Sequence, residues 1–161
     1  APDDRLRGML FWLMGDLSQA GDPRTVLLLL LLVLLLALPF ARELNLLARG
    51  IDIAQALGVA VRRLRRGVYF VASLATAAAV THAGAVGFIG LIVPHLVRLA
   101  AGNDQRLLLP ASVLAGGSLL VIADTLARSV LAPQQLPVGV LTALIGVPLF
   151  LLQLAHERRH A

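Results

Sequence analysis

Residues 25–41 read TVLLLLLLVLLLALPFA, seventeen consecutive residues without a charge, including the unbroken leucine run Leu27–Leu32. A bilayer core about 30 Å thick takes about 17–25 apolar residues at 1.5 Å each, so this stretch is a span at the short limit. A helix buried in a soluble core is the competing reading. This run is apolar on every side and has no solvent face, which favours lipid.

The rest of the chain repeats the pattern. Gly67–Val97 is 31 residues with no Asp, Glu, Lys or Arg. As one helix it would extend about 46 Å, too long for a single crossing. Gly84, Gly87 and Gly90 punctuate it, so helices are expected over 67–82 and 88–100, the second short for a full span. Residues 107–130 and 137–155 supply two more spans, with a Pro-rich turn at 132–137 between them. Residues 1–24 are mixed in character and are expected to form an exposed loop with a short amphipathic turn at Met9–Met14. Residues 42–66 read as a polar loop holding a short helix from Asp52, with Gly58 as its stop. Residues 156–161 are a charged tail. The expected fold class is all-α, a polytopic membrane helix bundle of about five transmembrane helices.

Composition agrees. Hydrophobic residues are 58% of the 161, charged residues only 14%, and the mean hydropathy is +0.86. Soluble domains run near half apolar and about a quarter charged. Disorder is excluded, because it needs low hydrophobicity and high charge. The absence of cysteine excludes a disulfide scaffold, a zinc finger and a cysteine nucleophile. The net charge of +5 comes from fourteen arginines and no lysine. They cluster between apolar stretches, and aromatics are only 4% of the chain, which speaks against nucleic acid as a partner.

Arginine placement sets an orientation. With 42–66, 98–106 and 156–161 inside, that side holds ten arginines and the other holds Arg5, Arg7, Arg24 and Arg128. Basic excess marks the cytoplasmic side. The C-terminus is then cytoplasmic and residues 1–24 lie outside. An outward-facing start implies an odd number of spans upstream in a parent protein that begins inside.

Few residues offer chemistry. His82 and His95 lie in apolar segments, thirteen apart, without carboxylate or thiol neighbours at ligand spacing. They read as helix-end histidines bonded to backbone or water in preference to a metal or proton site. An intramembrane metal enzyme built from His82, His95 and Asp124 is the weakest reading, and no cofactor is expected. Asp124 and Arg128 stand four apart on one helix face. They are either a self-satisfying pair at a helix end or a charged contact for a partner from outside. Gly139, Ala143 and Gly146 form a small-residue stripe suited to close helix packing, with Thr142 beside it, and pathway lining is the alternative. The 50–58 segment either rests on headgroups, with the following arginines on anionic lipid, or docks a cytosolic subunit.

The stretch Gly87-Phe88-Ile89-Gly90-Leu91-Ile92-Val93-Pro94-His95-Leu96-Val97-Arg98-Leu99 resembles the signature of FecCD-type permeases, the membrane subunits of ABC importers for iron-siderophores, haem and vitamin B12. Within it Gly87, Gly90, Pro94, His95 and Arg98 carry the match. Four further segments agree in order: Phe11-Trp12-Leu13-Met14-Gly15; Gly50, Ala54, Leu57 and Gly58; Ala123-Asp124-Thr125-Leu126-Ala127-Arg128; and Leu136–Ala143 with Gly146, Pro148 and Phe150. The family often has an acid directly after the loop glycine, where this chain has Ile51 and then Asp52. It often has Asp-His-Arg where this chain has Asp104-Gln105-Arg106.

The resemblance implies a multi-pass protein of the bacterial inner membrane, corresponding to helices six to ten of a ten-helix permease. It implies cytoplasmic ATPase subunits, a periplasmic binding protein, a second permease copy and the N-terminal half as partners, with ATP hydrolysis on the separate ATPase. It assigns ATPase coupling to Gly50, Asp52, Ala54, Leu57 and Gly58, and binding-protein docking to Arg128. Gly139, Thr142, Ala143 and Gly146 fall on the last helix, for pathway or packing. A non-transporting membrane piece, or a scaffold that only binds the ATPase or lipid, is the alternative.

Overall fold

The structure is a computed structural model and describes residues 2–130 and 136–157. Eight α-helices are present among these residues: α1 (Pro2–Leu13), α2 (Pro23–Ala37), α3 (Ala41–Leu47), α4 (Ile51–Ala56), α5 (Val61–Ala83), α6 (Ile89–Ala101), α7 (Gln105–Ser129) and α8 (Val138–Glu157). The class is all-α, as the long uncharged runs lead one to expect. Most of the Pro-rich turn at 132–137 and of the tail at 156–161 lies outside the described residues.

The starts and stops follow local chemistry. Asp22 caps α2 by accepting from the Arg24 N–H at 3.1 Å, and Pro23 opens the helix where no amide donor is needed. Pro39 cannot donate, so the chain tightens into a 3-10 turn at Leu38–Phe40 before α3 continues. Together α2, the turn and α3 make an apolar rod over Pro23–Leu47, longer than the uncharged run alone. Asp104 caps α7 by accepting from the Arg106 N–H at 3.0 Å. Gly84 and Gly102, both at positive φ, terminate α5 and α6.

Two regions differ from expectation. Residues 2–13 form a twelve-residue helix instead of a loop with a short turn; Asp3 and Asp4 in its first turn suit the helix dipole. The helix expected from residue 67 begins at Val61, so Arg62, Arg63, Arg65 and Arg66 are helical. Buried Val61 and Leu64 give this charged turn an apolar inner side.

Among the described residues, three helices are long and apolar enough to cross a membrane: Pro23–Leu47, Gln105–Ser129 and Val138–Ala155. The other two of the five expected spans are weaker. α6 has only 13 residues, and α5, with 23, is diluted by arginines and by its run of Ala and Thr. Packing pairs α6 with α7 and α2 with α5, while α8 lies against both α6 and α7. One core cluster joins Val93, Val97 and Leu108 between α6 and α7, and a second joins Ala54, Val59, Val61 and Leu64 around α4. Much apolar surface stays outside these cores. The apolar window of the Pro23–Leu47 rod is only 6% buried, which suits a face toward lipid or further helices.

Candidate functional site

The segment from α3 to α5 forms an elbow. Gly50 takes φ +121°, a conformation side chains avoid, and its carbonyl accepts from the Ala54 N–H at 3.0 Å. Gly58, at φ +85°, ends the short helix, its N–H bonded to the Gln55 carbonyl at 2.9 Å. The Val59 N–H then returns to the Ala54 carbonyl at 2.9 Å. Ala54 is fully buried, packed with Val59, Val61 and Leu64 against Phe40, Leu44, Leu46, Leu47 and Val68. Ile51, Ile53 and Leu57 point outward, Leu57 at 60% exposure. Asp52 is exposed on the same helix. The elbow therefore offers an apolar, outward-facing knuckle whose inner side is locked to the bundle.

A polar clamp ties the elbow's base to the α6–α7 turn. The Asn45 side-chain amide donates to Asp104 Oδ1 at 2.7 Å, and Asn45 Oδ1 accepts from the Gln105 N–H at 2.8 Å. The Asn45 amide, followed by the Arg106 backbone N–H, holds the Asp104 carboxyl below the usual carboxylate range, with the nearby Arg106 charge adding to this. Sequence reading missed Asn45. Its signal was a lone amide at the end of an apolar rod, paired with an Asp capping a later helix.

At the other end of the bundle the backbone itself is the packing element. A Cβ on Gly84 would collide with the Trp12 carbonyl, and one on Gly139 with the Met14 carbonyl. Gly15, at φ +84°, has the Gly139 backbone nitrogen 3.1 Å from where its own Cβ would lie. The Asp16 N–H bonds the Ala83 carbonyl at 3.1 Å, and His82 Nδ1 lies 3.0 Å from the Ala20 carbonyl. His82 is thus a helix-end histidine engaged with backbone. Among the described residues no three His, Cys, Asp or Glu side chains gather at metal-binding distance, so His82, His95 and Asp124 are not brought together.

Arg128 Nε donates to Asp124 Oδ2 at 2.8 Å, with the arginine side chain 42% exposed and the aspartate 25%. The pair satisfies itself, and the guanidinium stays partly exposed.

The signature helix α6 has Phe88 at its N-cap, the only non-glycine among the described residues with positive φ, at +66°. That backbone is strained for an L residue. Phe88 is held there by α8: a Cβ on Gly146 would collide with the Phe88 Cβ and lie 3.2 Å from Ile92 Cδ1. Gly87 and Gly90 face open space, Pro94 lies inside the helix, His95 is half-buried and Arg98 is exposed. Thr142 is 5% exposed and donates to the Gly139 carbonyl at 3.0 Å, so its hydroxyl is already used. Gly139 and Ala143 line an open apolar cavity of about 690 Å³ with Met14, Phe88, Val147 and Pro148.

Comparison with known proteins places this architecture. The model of the FecCD transport family matches residues 1–156. The chain is 49% identical over 148 residues to the cobalamin import system permease protein BtuC of Halobacterium salinarum, covering 91% of this chain and 40% of that protein. It is 45% identical over 159 residues to the hemin transport system permease protein HmuU of Yersinia pestis, covering 97% of this chain and 47% of that protein. The chain thus spans about half the length of these relatives. A solved chain described as an inward-facing metal-chelate type ABC transporter superposes with a TM-score of 0.77 at 36% identity, covering 93% of this chain and 49% of that one. The five motifs, the all-helical bundle and a family match running through nearly the whole chain lead to one conclusion: this chain belongs to the FecCD transport family.

Proposed function

We propose that this chain is the C-terminal half of a permease subunit in a binding-protein-dependent ABC importer of iron-siderophore, haem or cobalamin-type substrates. The observation that carries the reading is the elbow at α4: an exposed apolar knuckle, rigidly seated by buried Ala54, in a chain matched by a transporter family over residues 1–156. Such a knuckle can receive a push from a cytoplasmic ATPase and pass it to α3 and α5, a rigid-body route to switching.

Gly50 and Gly58 supply its turns, Ala54 its anchor, and Asp52 and Leu57 its outward contacts. Arg128 serves the opposite end, where an acidic group on a binding protein would complement it. Gly139, Thr142, Ala143 and Gly146 bring α8 close to its neighbours and line the cavity beside it. ATP hydrolysis belongs to the separate ATPase. The membrane is the bacterial inner membrane, with the elbow and the C-terminus cytoplasmic, as the arginine distribution favours. A second permease copy and the remaining helices complete the pathway.

The test is co-purification. The chain is expressed with its neighbouring genes, tagged and extracted in mild detergent. Recovery of an ATPase together with complementary permease helices is the expected result. Recovery of the chain alone would overturn the reading in favour of a non-transporting membrane piece.

A further inference from the structure

The first two turns of α5 carry Arg62, Arg63, Arg65 and Arg66, all exposed. Between and after them Val61, Leu64 and Val71 are buried, and Val68 packs on the same core. A helix whose inner stripe is 61–64–68–71 turns 66 to the opposite side, with 62 and 70 next to it and 63 and 69 within about 60°, while Arg65 lies on the flank. Those outward positions beyond the arginines are Tyr69 and Phe70, at 72% and 68% exposure. The outer side of α5 is therefore a cationic band followed, about one turn further along, by an aromatic band.

Among the described residues no hydrogen bond or ion pair engages any of the four guanidinium groups. Four like charges within five residues repel one another and call for an outside anion. The aromatic band identifies its source. Arginine forks match phosphate oxygens, and aromatic rings next to a basic band suit the layer where headgroups meet acyl chains. A purely polar anion or an acidic protein patch would leave Tyr69 and Phe70 unsatisfied. The apolar knuckle of α4, by contrast, carries no such cationic band.

We propose that Arg62, Arg63, Arg65 and Arg66, with Tyr69 and Phe70, form a binding site for the headgroup and upper acyl region of an anionic phospholipid. The site rests on the membrane-spanning bundle and not on the coupling role of α4. A lipid bound there would hold the start of α5, and with it the base of the elbow, at the membrane surface.

The test uses the chain isolated from a host membrane and equilibrated with mixed micelles holding equal phosphatidylglycerol and phosphatidylcholine. Lipid adducts are counted by native mass spectrometry. The expected result is a preference of about threefold or more for phosphatidylglycerol in the wild type. The preference should vanish in R62Q/R63Q/R65Q/R66Q and persist in the matching lysine variant, which keeps the charge. Equal retention of both lipids by the wild type overturns the proposal without recourse to any variant. An undiminished preference in the glutamine variant overturns it too. Should that variant keep its lipid but lose capture of an ATPase, the arginines serve a protein surface instead.

Discussion

Asn45 and Asp104, fifty-nine residues apart, are joined at both ends of the asparagine side chain: its amide donates to the Asp104 carboxylate, and its carbonyl receives the Gln105 N–H. One side chain at the base of the elbow thus completes the N-terminal cap of α7. Motion of α3 and the start of α7 are linked by hydrogen bonds, one of them to a charged oxygen, the stronger kind.

That clamp gives a pH-dependent outcome. The Asp104 carboxyl is held below its usual range by Asn45 first and by the Arg106 N–H second. A folded-state value below the unfolded one means the clamp contributes in full above the unfolded value of about 3.9 and is lost as pH falls through the folded value. Thermal unfolding in detergent should show Asp104→Asn less stable than wild type at pH 6, with the difference closing in acid below about pH 4. A gap of constant size down to pH 3 would remove the charge from the account.

Gly139 is a close-approach position. Gly139→Ala places a methyl on the Met14 carbonyl and should cost about 1–3 kcal/mol by overpacking, whereas Gly117→Ala, which faces open space, should cost nothing. Denaturant titration of both variants in the same detergent decides this.

Phe88 and Gly146 should be coupled. Gly146→Ala forces its new methyl onto the Phe88 Cβ, while Phe88→Gly removes that atom and also relieves the positive φ. The double variant should be more stable than the summed single effects by about 0.5–3 kcal/mol in a double-mutant cycle. Simple additivity would place the strain of Phe88 elsewhere.

Leu57→Asp puts a charge on the knuckle without touching the buried anchor Ala54. If α4 couples as proposed, substrate uptake by the assembled importer should collapse while the bundle's unfolding temperature is unchanged. Uptake at the wild-type level would withdraw the coupling role of α4.

On the proposed docking role, Arg128→Glu should weaken binding-protein docking by about 2–5 kcal/mol where the incoming acid buries the pair, read by titration of the binding protein against the reconstituted importer. Asp124→Asn, which frees Arg128 from its internal partner, should leave docking intact or strengthen it.

Chain chemistry alone settled the class, because lipid demands long uncharged helices and leaves that demand written in composition. Residues 25–41, the break at Gly84, the stop at Gly58 and the Asp124–Arg128 pair were all legible from local pattern. The helical state of residues 2–13 was less so, because a mixed twelve-residue stretch has no strong period and its stability depends on surroundings. The early start of α5 escaped for a related reason: four arginines look like loop until Val61 and Leu64 between them are known to be buried. Only the tertiary structure paired Asn45 with Asp104, set Phe88 against Gly146, and ran the Trp12–Met14 backbone over Gly84 and Gly139. Sequence carries periodicity, which is a property of neighbours along the chain. These contacts join residues about 58 or more positions apart, and they arise only when packing decides which helix faces meet.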